Sequence, residues 1–321
     1  MKRLLILAGM ALSLGLAQGG TLTLYTSEIL ADVNALVEAF RAQNPGVQVQ
    51  VFRSGTGEVV AKLRAELEAG NPQPDLLWFA NEDFLRELAG KGLLRRIPPT
   101  VPGYPVQYAH GGGLYYEVRL LYNVIAVNTQ RVREAPTSWR DLLKPPFPGL
   151  LAMPDPNFSG AALATLGTLS QRLGFGFFEA LKAGGMRIEQ SNPVLQQKLA
   201  RGEYGLAITT DFGVRQEVAK GAPLATVYPR DGAILVPTPI AVTSWSKNPE
   251  LATRFLLFLL SPEAQRLFAE RGYYPVMPGA PKPKGSPAQV VSRVMCKSLC
   301  TGGIPLLKHL LQHLLHLREP L

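Results

Sequence analysis

The stretch VQVQVFRSGTGEVVAKLRAELEAG, residues 47–70, carries the pattern that predicts the fold. It begins with alternating apolar and polar residues, which is typical of a half-buried strand. After SGTGE at 54–58, apolar residues recur at helical spacing from Val59 to Leu67. A strand, a glycine-rich turn and a helix therefore follow one another without a linker.

The same alternation of strand and helix surrounds this unit. TLTLYTS (21–27) and PDLLWF (74–79) have the pattern of strands, and apolar residues from Ile29 to Phe40 recur at three and four positions. Strands that alternate with helices predict an α/β fold, with a parallel sheet covered on both faces.

A second set of elements follows a Pro- and Gly-rich stretch at 95–113. VRLLYNVIAVNT (118–129) is predicted as a strand that leaves the first domain for a second one. AILVPTPIAVTS (233–244) is predicted as the return strand, and residues 249–272 as the closing helices. A chain of 321 residues is long enough for two such domains.

The amino terminus has the pattern of a secretory signal peptide. Lys2 and Arg3 precede an apolar run from Leu4 to Leu16, and small residues follow. This run is shorter than the roughly 20 apolar residues that span a bilayer. We therefore expect residues 1–17 to be removed on export, and the protein to be periplasmic or extracellular.

The charge of the chain is mildly positive. The formal net charge is +9, and it falls to +4 without Lys2, Arg3 and the residues from Ser286 onward. Such a bias favours a small anionic ligand over a nucleic-acid groove. We expect no nucleic-acid partner.

No sequence motif of a catalytic or metal site is present. The chain has no Walker loop, dinucleotide fingerprint, nucleophile elbow, HExxH or paired CxxC motif. His110 is the one histidine before the last 36 residues, which argues against a triad or a metal centre. A secreted hydrolase with Asp211 and Glu58 as its acid–base pair is the alternative from another class of function.

Several segments together carry a resemblance to a known family. They include LLYNVIAVNT (120–129), PTSWRDLL, MPDPNFSGAA and NPELATRFLLFLLSPEAQRLFAERGYYPV. From about Thr21 to Val276 the chain resembles the extracellular solute-binding proteins of bacterial ABC importers, in the branch of ferric-ion, phosphonate and sugar-phosphate binders.

The resemblance implies a two-lobe, periplasmic-binding-protein-like (type II) α/β fold that closes on a ligand. The first lobe would comprise residues 18–120 and 240–285, and the second residues 121–239. Two crossing strands, near Leu120–Val127 and Leu235–Val242, would form the hinge. It further implies a non-catalytic monomer without a cofactor, which delivers a small anionic ligand to a membrane permease.

Two glycine-rich turns are candidate anion sites. A helix N-terminus has unpaired N–H groups and a partial positive charge, and SGTGE and NFSGAA both open helices. Helix capping alone is the competing interpretation of these turns and of Glu58. The polar ends of the first and third strands and the tyrosines of the Gly-rich crossover complete the set. The candidate ligand-binding residues are Thr26, Ser27, Ser54, Gly55, Thr56, Gly57, Asn81, Tyr115, Tyr116, Ser159, Gly160, Ala161, Thr210 and Asp211.

TTDF at 209–212 separates two ligand hypotheses. Ferric-ion binders of the family place adjacent tyrosines here, whereas this chain has Thr210, Asp211 and Phe212. Asp211 could instead pair with the amino group of an aminoalkylphosphonate or a hydroxyl of a sugar phosphate, or simply cap a helix. Iron stays an alternative, with Glu28, Tyr115, Tyr116 or Tyr204 as possible oxygen ligands.

The segment after Gly285 differs in composition from the rest of the chain. Three of the four histidines and both cysteines lie in residues 286–321, as a reading-frame change near the end of the gene would produce. This atypical tail is therefore predicted to lie outside the evolved binding protein. The alternatives are a metal site of His309, His313 and His316, which share a helical face, and a Cys296–Cys300 disulfide.

Overall fold

The computed structural model describes residues 19–98, 101–288, 290 and 293–294. The predicted signal peptide and the histidines and cysteines of the tail lie outside the described residues. The first part of the chain contains β1 (Thr21–Thr26), α1 (Leu30–Gln43), β2 (Gln48–Arg53), α2 (Thr56–Glu68), β3 (Leu76–Trp78), α3 (Glu82–Gly90), a 3-10 helix (Val106–Tyr108), β4 (Ala109–His110) and β5 (Tyr115–Tyr116).

The second part begins with a long strand. Its elements are β6 (Arg119–Asn128), a 3-10 helix (Arg140–Leu143), α4 (Phe147–Leu150), β7 (Leu151–Pro154), α5 (Gly160–Leu173), α6 (Gly176–Ala183), β8 (Arg187–Glu189), α7 (Asn192–Ala200), β9 (Leu206–Thr210), α8 (Asp211–Ala219), β10 (Leu224–Val227) and β11 (Ala233–Val236). The chain then continues with β12 (Ile240–Val242), α9 (Pro249–Leu259), α10 (Pro262–Glu270), β13 (Tyr274–Pro275) and β14 (Arg293–Val294).

Two mixed sheets form the centres of two lobes, which agrees with the predicted two-lobe α/β fold. The first sheet has the order β2-β1-β3-β12-β5-β4, and the second the order β14-β11-β6-β9-β7-β8. The expectation of a purely parallel sheet is wrong: β1, β2 and β3 are parallel, but β12 runs antiparallel to β3. The reason is that β12 returns from the second lobe in the opposite direction.

Each lobe has an aromatic core. In the first lobe, Phe40 of α1 meets Phe255 of α9 edge to face, with ring centroids 5.1 Å apart. In the second lobe, the fully buried Trp139 and Phe178 pack on the sheet. Burial of this kind supplies most of the stability of such lobes, at about 25 cal/mol per Å² of apolar surface.

The first crossing between the lobes is β6. All ten of its residues are buried; Leu121 packs into the core of the first lobe, whereas Ile125 and Val127 pack into that of the second. The strand therefore connects the two cores with no exposed linker.

The second crossing differs from the prediction of one return strand at 233–244. β11 pairs with β6 in the second lobe and β12 pairs with β3 in the first, so the segment changes sheets at 237–239. Pro237 and Pro239 lack an N–H group and interrupt the ladder there. Thr238 between them receives a hydrogen bond on its carbonyl from Trp78 Nε1 (3.0 Å) and donates its N–H to Glu117 Oε2 (3.0 Å).

A third connection was not predicted. After α10, β13 pairs with β6 at Arg119–Leu120, and β14 pairs in parallel with β11 of the second lobe. Val290 packs in a small apolar cluster with Tyr122, Val124 and Ala233. The described residues beyond Gly285 therefore contact the second lobe, and the boundary at Gly285 stays a prediction.

The tail can be divided experimentally at this point. We expect truncation after Gly285 to lower the free energy of unfolding by about 2 kcal/mol relative to truncation after Val294, because it exposes the surface that Val290 covers. Ligand affinity should stay within a few-fold in both, since none of the residues that line the cavity described below lies in this segment. Urea unfolding of the two truncated proteins tests this, and equal midpoints would contradict it.

Candidate functional site

A cavity of about 80 Å³ lies between the two lobes. The first lobe contributes the ends of β1 and the turn before α2, and the second lobe contributes the starts of α5, α7 and α8. Its lining residues are Ser27, Glu28, Ile29, Gly55, Thr56, Leu121, Phe158, Ser159, Gly160, Ala161, Ser191, Asn192, Pro193, Thr210 and Phe212.

Five helix N-termini meet at this cavity. The lining includes the N-cap residues of α1, α2, α5, α7 and α8. Each of these helices is the next element in the chain after a strand of one of the two sheets. The first N–H groups of a helix have no partner within it, and the helix dipole places about half a positive charge there. The helix N-termini therefore give the cavity a partial positive potential, although no lysine, arginine or histidine is among its described lining residues.

The turn SGTGE contributes only its centre to the cavity. Gly55 is the N-cap of α2, and Thr56, which is 4% exposed, lines the cavity beside it. The Ser54 hydroxyl instead bonds the Glu58 carboxylate on the surface, so neither side chain is among the lining residues.

The turn NFSGAA opens α5 on the opposite wall. Ser159 Oγ accepts hydrogen bonds from Ala162 N (3.2 Å) and from Asn192 Nδ2 (2.9 Å). Because both acceptor positions of this hydroxyl are filled, its own hydrogen can be donated to a ligand.

A chain of hydrogen bonds orients the polar groups beneath this wall. Gln196 Nε2 donates to Thr209 Oγ1 (2.9 Å) and Thr210 Oγ1 (3.0 Å), and Thr209 Oγ1 donates to Asn192 Oδ1 (2.8 Å). Asn192 Oδ1 is thus an acceptor, which leaves its Nδ2 to donate to Ser159. Thr210, which lines the cavity, has its hydroxyl hydrogen free for a ligand as well.

The lobes touch at two glycines beside the cavity. A Cβ atom added to Gly160 would lie 2.0 Å from the carbonyl oxygen of Ala80, and one added to Gly57 would lie 2.0 Å from that of Asn157. Only glycine permits backbone segments of the two lobes to approach this closely. The structure is therefore that of a closed two-lobe molecule.

Asp211 lies behind the cavity and not in it. It is fully buried, and its Oδ1 accepts hydrogen bonds from Tyr122 N (3.0 Å) and Phe212 N (2.8 Å). Its Oδ2 accepts one from Tyr228 Oη (3.0 Å) and lies 3.0 Å from Arg215 Nη2. These partners hold Asp211 at the start of α8. The prediction that Asp211 contacts a ligand is therefore corrected: its side chain positions the helix.

The two crossover tyrosines also lie elsewhere. Tyr115 stacks on His110, with centroids 5.0 Å apart, in the apolar core on one side of the first-lobe sheet. Tyr116 packs in the core on the other side, and its hydroxyl donates to the carbonyl of Ile97. The expectation that they cover the cleft is corrected, because their apolar rings are buried against the sheet.

Two further candidates support the site from outside it. Thr26 Oγ1 donates to Trp78 O (2.7 Å) and accepts from Glu28 N (3.0 Å), and so shapes the end of β1. Asn81 caps α3, with its Oδ1 accepting from Phe84 N (3.0 Å). Of the predicted candidates, those that line the cavity are Ser27, Gly55, Thr56, Ser159, Gly160, Ala161 and Thr210, and those that do not are Thr26, Ser54, Gly57, Asn81, Tyr115, Tyr116 and Asp211.

Sequence reasoning missed the start of α7. Ser191 caps this helix and Pro193 occupies its first turn, which is the ordinary signal of a helix start and was available in the sequence. Phe158, Leu121 and Phe212 give the cavity its apolar surface, and no local pattern marks them.

Glu28 is the lining residue whose side chain carries a charge. It is 7% exposed, and its Oε2 forms a buried ion pair with Arg119. Burial lowers the pKa of the Arg119 guanidinium to about 10, so it stays protonated near pH 7. This pair contributes no net charge that would oppose a bound anion.

The donor set for a ferric ion is limited. Tyr115 and Tyr116 are in the core, and the Tyr204 hydroxyl bonds Glu189 away from the cavity. Within the described residues, no three histidine, cysteine or acidic side chains are grouped closely enough to hold a metal ion. Glu28 alone of the candidate iron ligands lines the cavity.

Comparison with known proteins gives the family. Residues 22–274 match the family model described as bacterial extracellular solute-binding protein. The chain belongs to this family. The family comprises binding proteins of ABC importers, and the chain is therefore a substrate-binding component and not an enzyme. This excludes the hydrolase with Asp211 and Glu58 as its acid–base pair.

Relatives of this solute-binding protein are named for different ligands. A gamma-aminobutyric acid-binding protein of Pseudomonas aeruginosa is 27% identical over 71% of this chain and 71% of its own length. The periplasmic binding protein AfuA from Actinobacillus pleuropneumoniae, solved with fructose-6-phosphate, is 26% identical with a TM-score of 0.74, and the match covers 83% of this chain and 87% of AfuA. Iron-bound HitA from Pseudomonas aeruginosa is 25% identical with a TM-score of 0.79, over 92% and 99% of the two chains.

These comparisons agree with the lobes of the solute-binding protein described above. Across the part of the chain that the structure describes, no helix combines the length and apolarity needed to cross a bilayer. The relatives differ in ligand, so the ligand of this protein must be argued from its own cavity.

Proposed function

We propose that this protein captures a small phosphonate or phosphate ester between its lobes and delivers it to the membrane permease of an ABC importer. The observation that carries the proposal is the convergence of five helix N-termini on one cavity between the lobes. An anion held there receives backbone N–H groups from both lobes, so its binding favours the closed form.

The hydroxyl groups of the cavity support the same ligand class. Ser159 and Thr210 each have a hydrogen to donate because the oxygens accept from Asn192 and Gln196. A phosphoryl or phosphonyl group offers three oxygens that accept such bonds. AfuA, which is similar over most of the chain, was solved with a phosphate ester.

Export is part of the proposal. The charged and apolar segments of residues 1–17 are those of a cleaved signal peptide, and members of the family act outside the cytoplasm. The mature protein would act as a monomer in the periplasm or outside the cell, where it meets both its anionic ligand and the permease.

Iron is the second candidate, because HitA was solved with iron bound. Against it, the cavity lining contains one carboxylate and no tyrosine or histidine, whereas Fe(III) requires several hard anionic ligands. The residues that line the cavity therefore favour an organic oxyanion over iron.

Thermal unfolding with a panel of ligands tests the proposal. A phosphate ester or phosphonate at 100 times its Kd should stabilise the protein by about 2.7 kcal/mol, because it binds only the folded state. Ferric citrate should give no shift and no visible tyrosinate-to-iron absorption. A shift with ferric citrate and none with the phosphate esters or phosphonates would show that the protein binds iron instead of an organic oxyanion.

A matched pair of serine variants locates the ligand. Ser159→Ala and Ser261→Ala each remove a helix cap of the same geometry, with Oγ accepting from Ala162 N (3.2 Å) and Ala264 N (3.3 Å) respectively. Both should cost about 1 kcal/mol of stability. Only Ser159→Ala should lower affinity for the bound phosphate ester, by about tenfold, since only Ser159 lines the cavity. Equal affinities in the two variants would place the ligand elsewhere.

A further inference from the structure

The Glu28 carboxylate has one oxygen without a partner at the cavity. Its Oε2 pairs with Arg119, and Oε1 makes no hydrogen bond to any described residue. The side chain is more than nine-tenths buried, and what remains accessible of Oε1 is reached by solvent through the cavity. A ligand that fills the cavity would exclude this solvent, so a ligand group that donates to Oε1 would be favoured over one that leaves it unpaired.

The position of Glu28 is held from three sides. Its N–H donates to Thr26 Oγ1 (3.0 Å), and its carbonyl accepts from Arg53 Nε (3.1 Å). Its carboxylate is held by Arg119, whose guanidinium lies 3.7 Å from the centroid of the Tyr273 ring. The unpaired oxygen is therefore presented in a fixed direction.

The charge of Arg119 decides which donor suits this oxygen. Because Arg119 already neutralises Glu28, a ligand ammonium would be a second cation on one carboxylate, close to the guanidinium. A neutral hydroxyl group gives the same hydrogen bond without that repulsion. The pair thus favours a hydroxyl over an amine.

We propose that Glu28 is a specificity-determining residue that accepts a hydrogen bond from a hydroxyl group of the ligand. This inference rests on the proposed function, since the oxyanion of the same molecule would be held by the helix N-termini. The ligand class is then a hydroxylated phosphate ester or phosphonate. The Ser159 and Thr210 hydroxyls and the N–H groups donate to its anionic end, and Glu28 accepts from its other end.

Three phosphate esters of equal length test this directly. Propyl phosphate, 2-hydroxyethyl phosphate and 2-aminoethyl phosphate share the phosphate and differ only in a terminal methyl, hydroxyl or ammonium group. By isothermal titration calorimetry we expect the hydroxyl ester to bind about tenfold or more tightly than the propyl ester, and the amine to bind more weakly than the hydroxyl ester.

Variants connect the preference to the residue. Glu28→Gln should reduce the preference for the hydroxyl ester at least several-fold, because Arg119 then loses its charged partner and draws on the remaining acceptor oxygen. Glu38→Gln is the control: Glu38 lies on α1 with its side chain 69% exposed, and the preference should be unchanged. If Glu28→Gln does not fold, the double variant Glu28→Met with Arg119→Met removes both charges and should abolish the preference.

Three outcomes would overturn the proposal in distinguishable ways. Equal affinity for the three esters would remove the role of Glu28 and leave the oxyanion site standing. Tightest binding of the amine would show that Glu28 recognises a cation. Failure of all three esters to bind, in a protein that circular dichroism shows to be folded, would overturn the proposed function and this inference with it.

Discussion

Gly160→Ala is expected to lower ligand affinity by about a hundredfold or more while the protein stays folded. The added Cβ would lie 2.0 Å from the carbonyl oxygen of Ala80 and 2.9 Å from its carbon, and these are backbone atoms that cannot rotate away. The clash exists only when the lobes are closed. The variant should therefore fold normally and fail to close.

The measurement combines titration with small-angle scattering. The wild-type protein should become more compact when a saturating phosphate ester is added, whereas Gly160→Ala should keep the dimensions of its ligand-free form. Gly57→Ala should behave in the same way, because its Cβ would meet the carbonyl oxygen of Asn157 at 2.0 Å.

Gly90→Ala is the matched control. Gly90 is the last residue of α3, and nothing lies within 4 Å of the position that its Cβ would take. Its affinity and compaction should equal those of the wild type, with a small gain in helix stability. Tight binding by Gly160→Ala would show that the closed contact is not required for capture.

Asp211→Ala should produce the largest loss of stability, about 3–5 kcal/mol. Asp211 is fully buried, and its removal leaves Arg215 without its charged partner and breaks the hydrogen bond from Phe212 N. Because Asp211 also fixes the start of α8, the variant should bind the phosphate ester more weakly through displacement of Thr210 and Phe212.

Urea unfolding measures this loss against an exposed ion pair. Arg266→Ala breaks the pair with Glu270, whose side chains are 55% and 52% exposed, and should change stability by less than about 0.5 kcal/mol. The double variant Asp211→Ala with Arg215→Met should recover part of the lost free energy of unfolding, because no buried charge is then left unpaired. Similar losses in Asp211→Ala and Arg266→Ala would mean that the buried network contributes little.

The sequence alone determined the helix starts at 55–56 and 159–161, because a glycine or hydroxyl residue before an apolar run acts on the backbone within a few residues. Alternating apolar residues likewise predicted β1 and β2, and a continuous apolar run predicted β6, which is buried along its whole length. These local signals, together with the resemblance of the whole chain, predicted the two-lobe fold and half of the cavity lining.

The tertiary structure alone decided which acidic residue lines the cavity. Asp211 and Glu28 both follow a strand end, and nothing within a few residues distinguishes them. Tyr228 and Arg215 bind the Asp211 carboxylate behind the cavity. Arg119, 91 residues away in the chain, holds Glu28 at the cavity. Contacts between distant residues also buried Tyr115 and brought the start of α7 to the site, because pairing across such separations depends on how the sheets pack and leaves no local pattern.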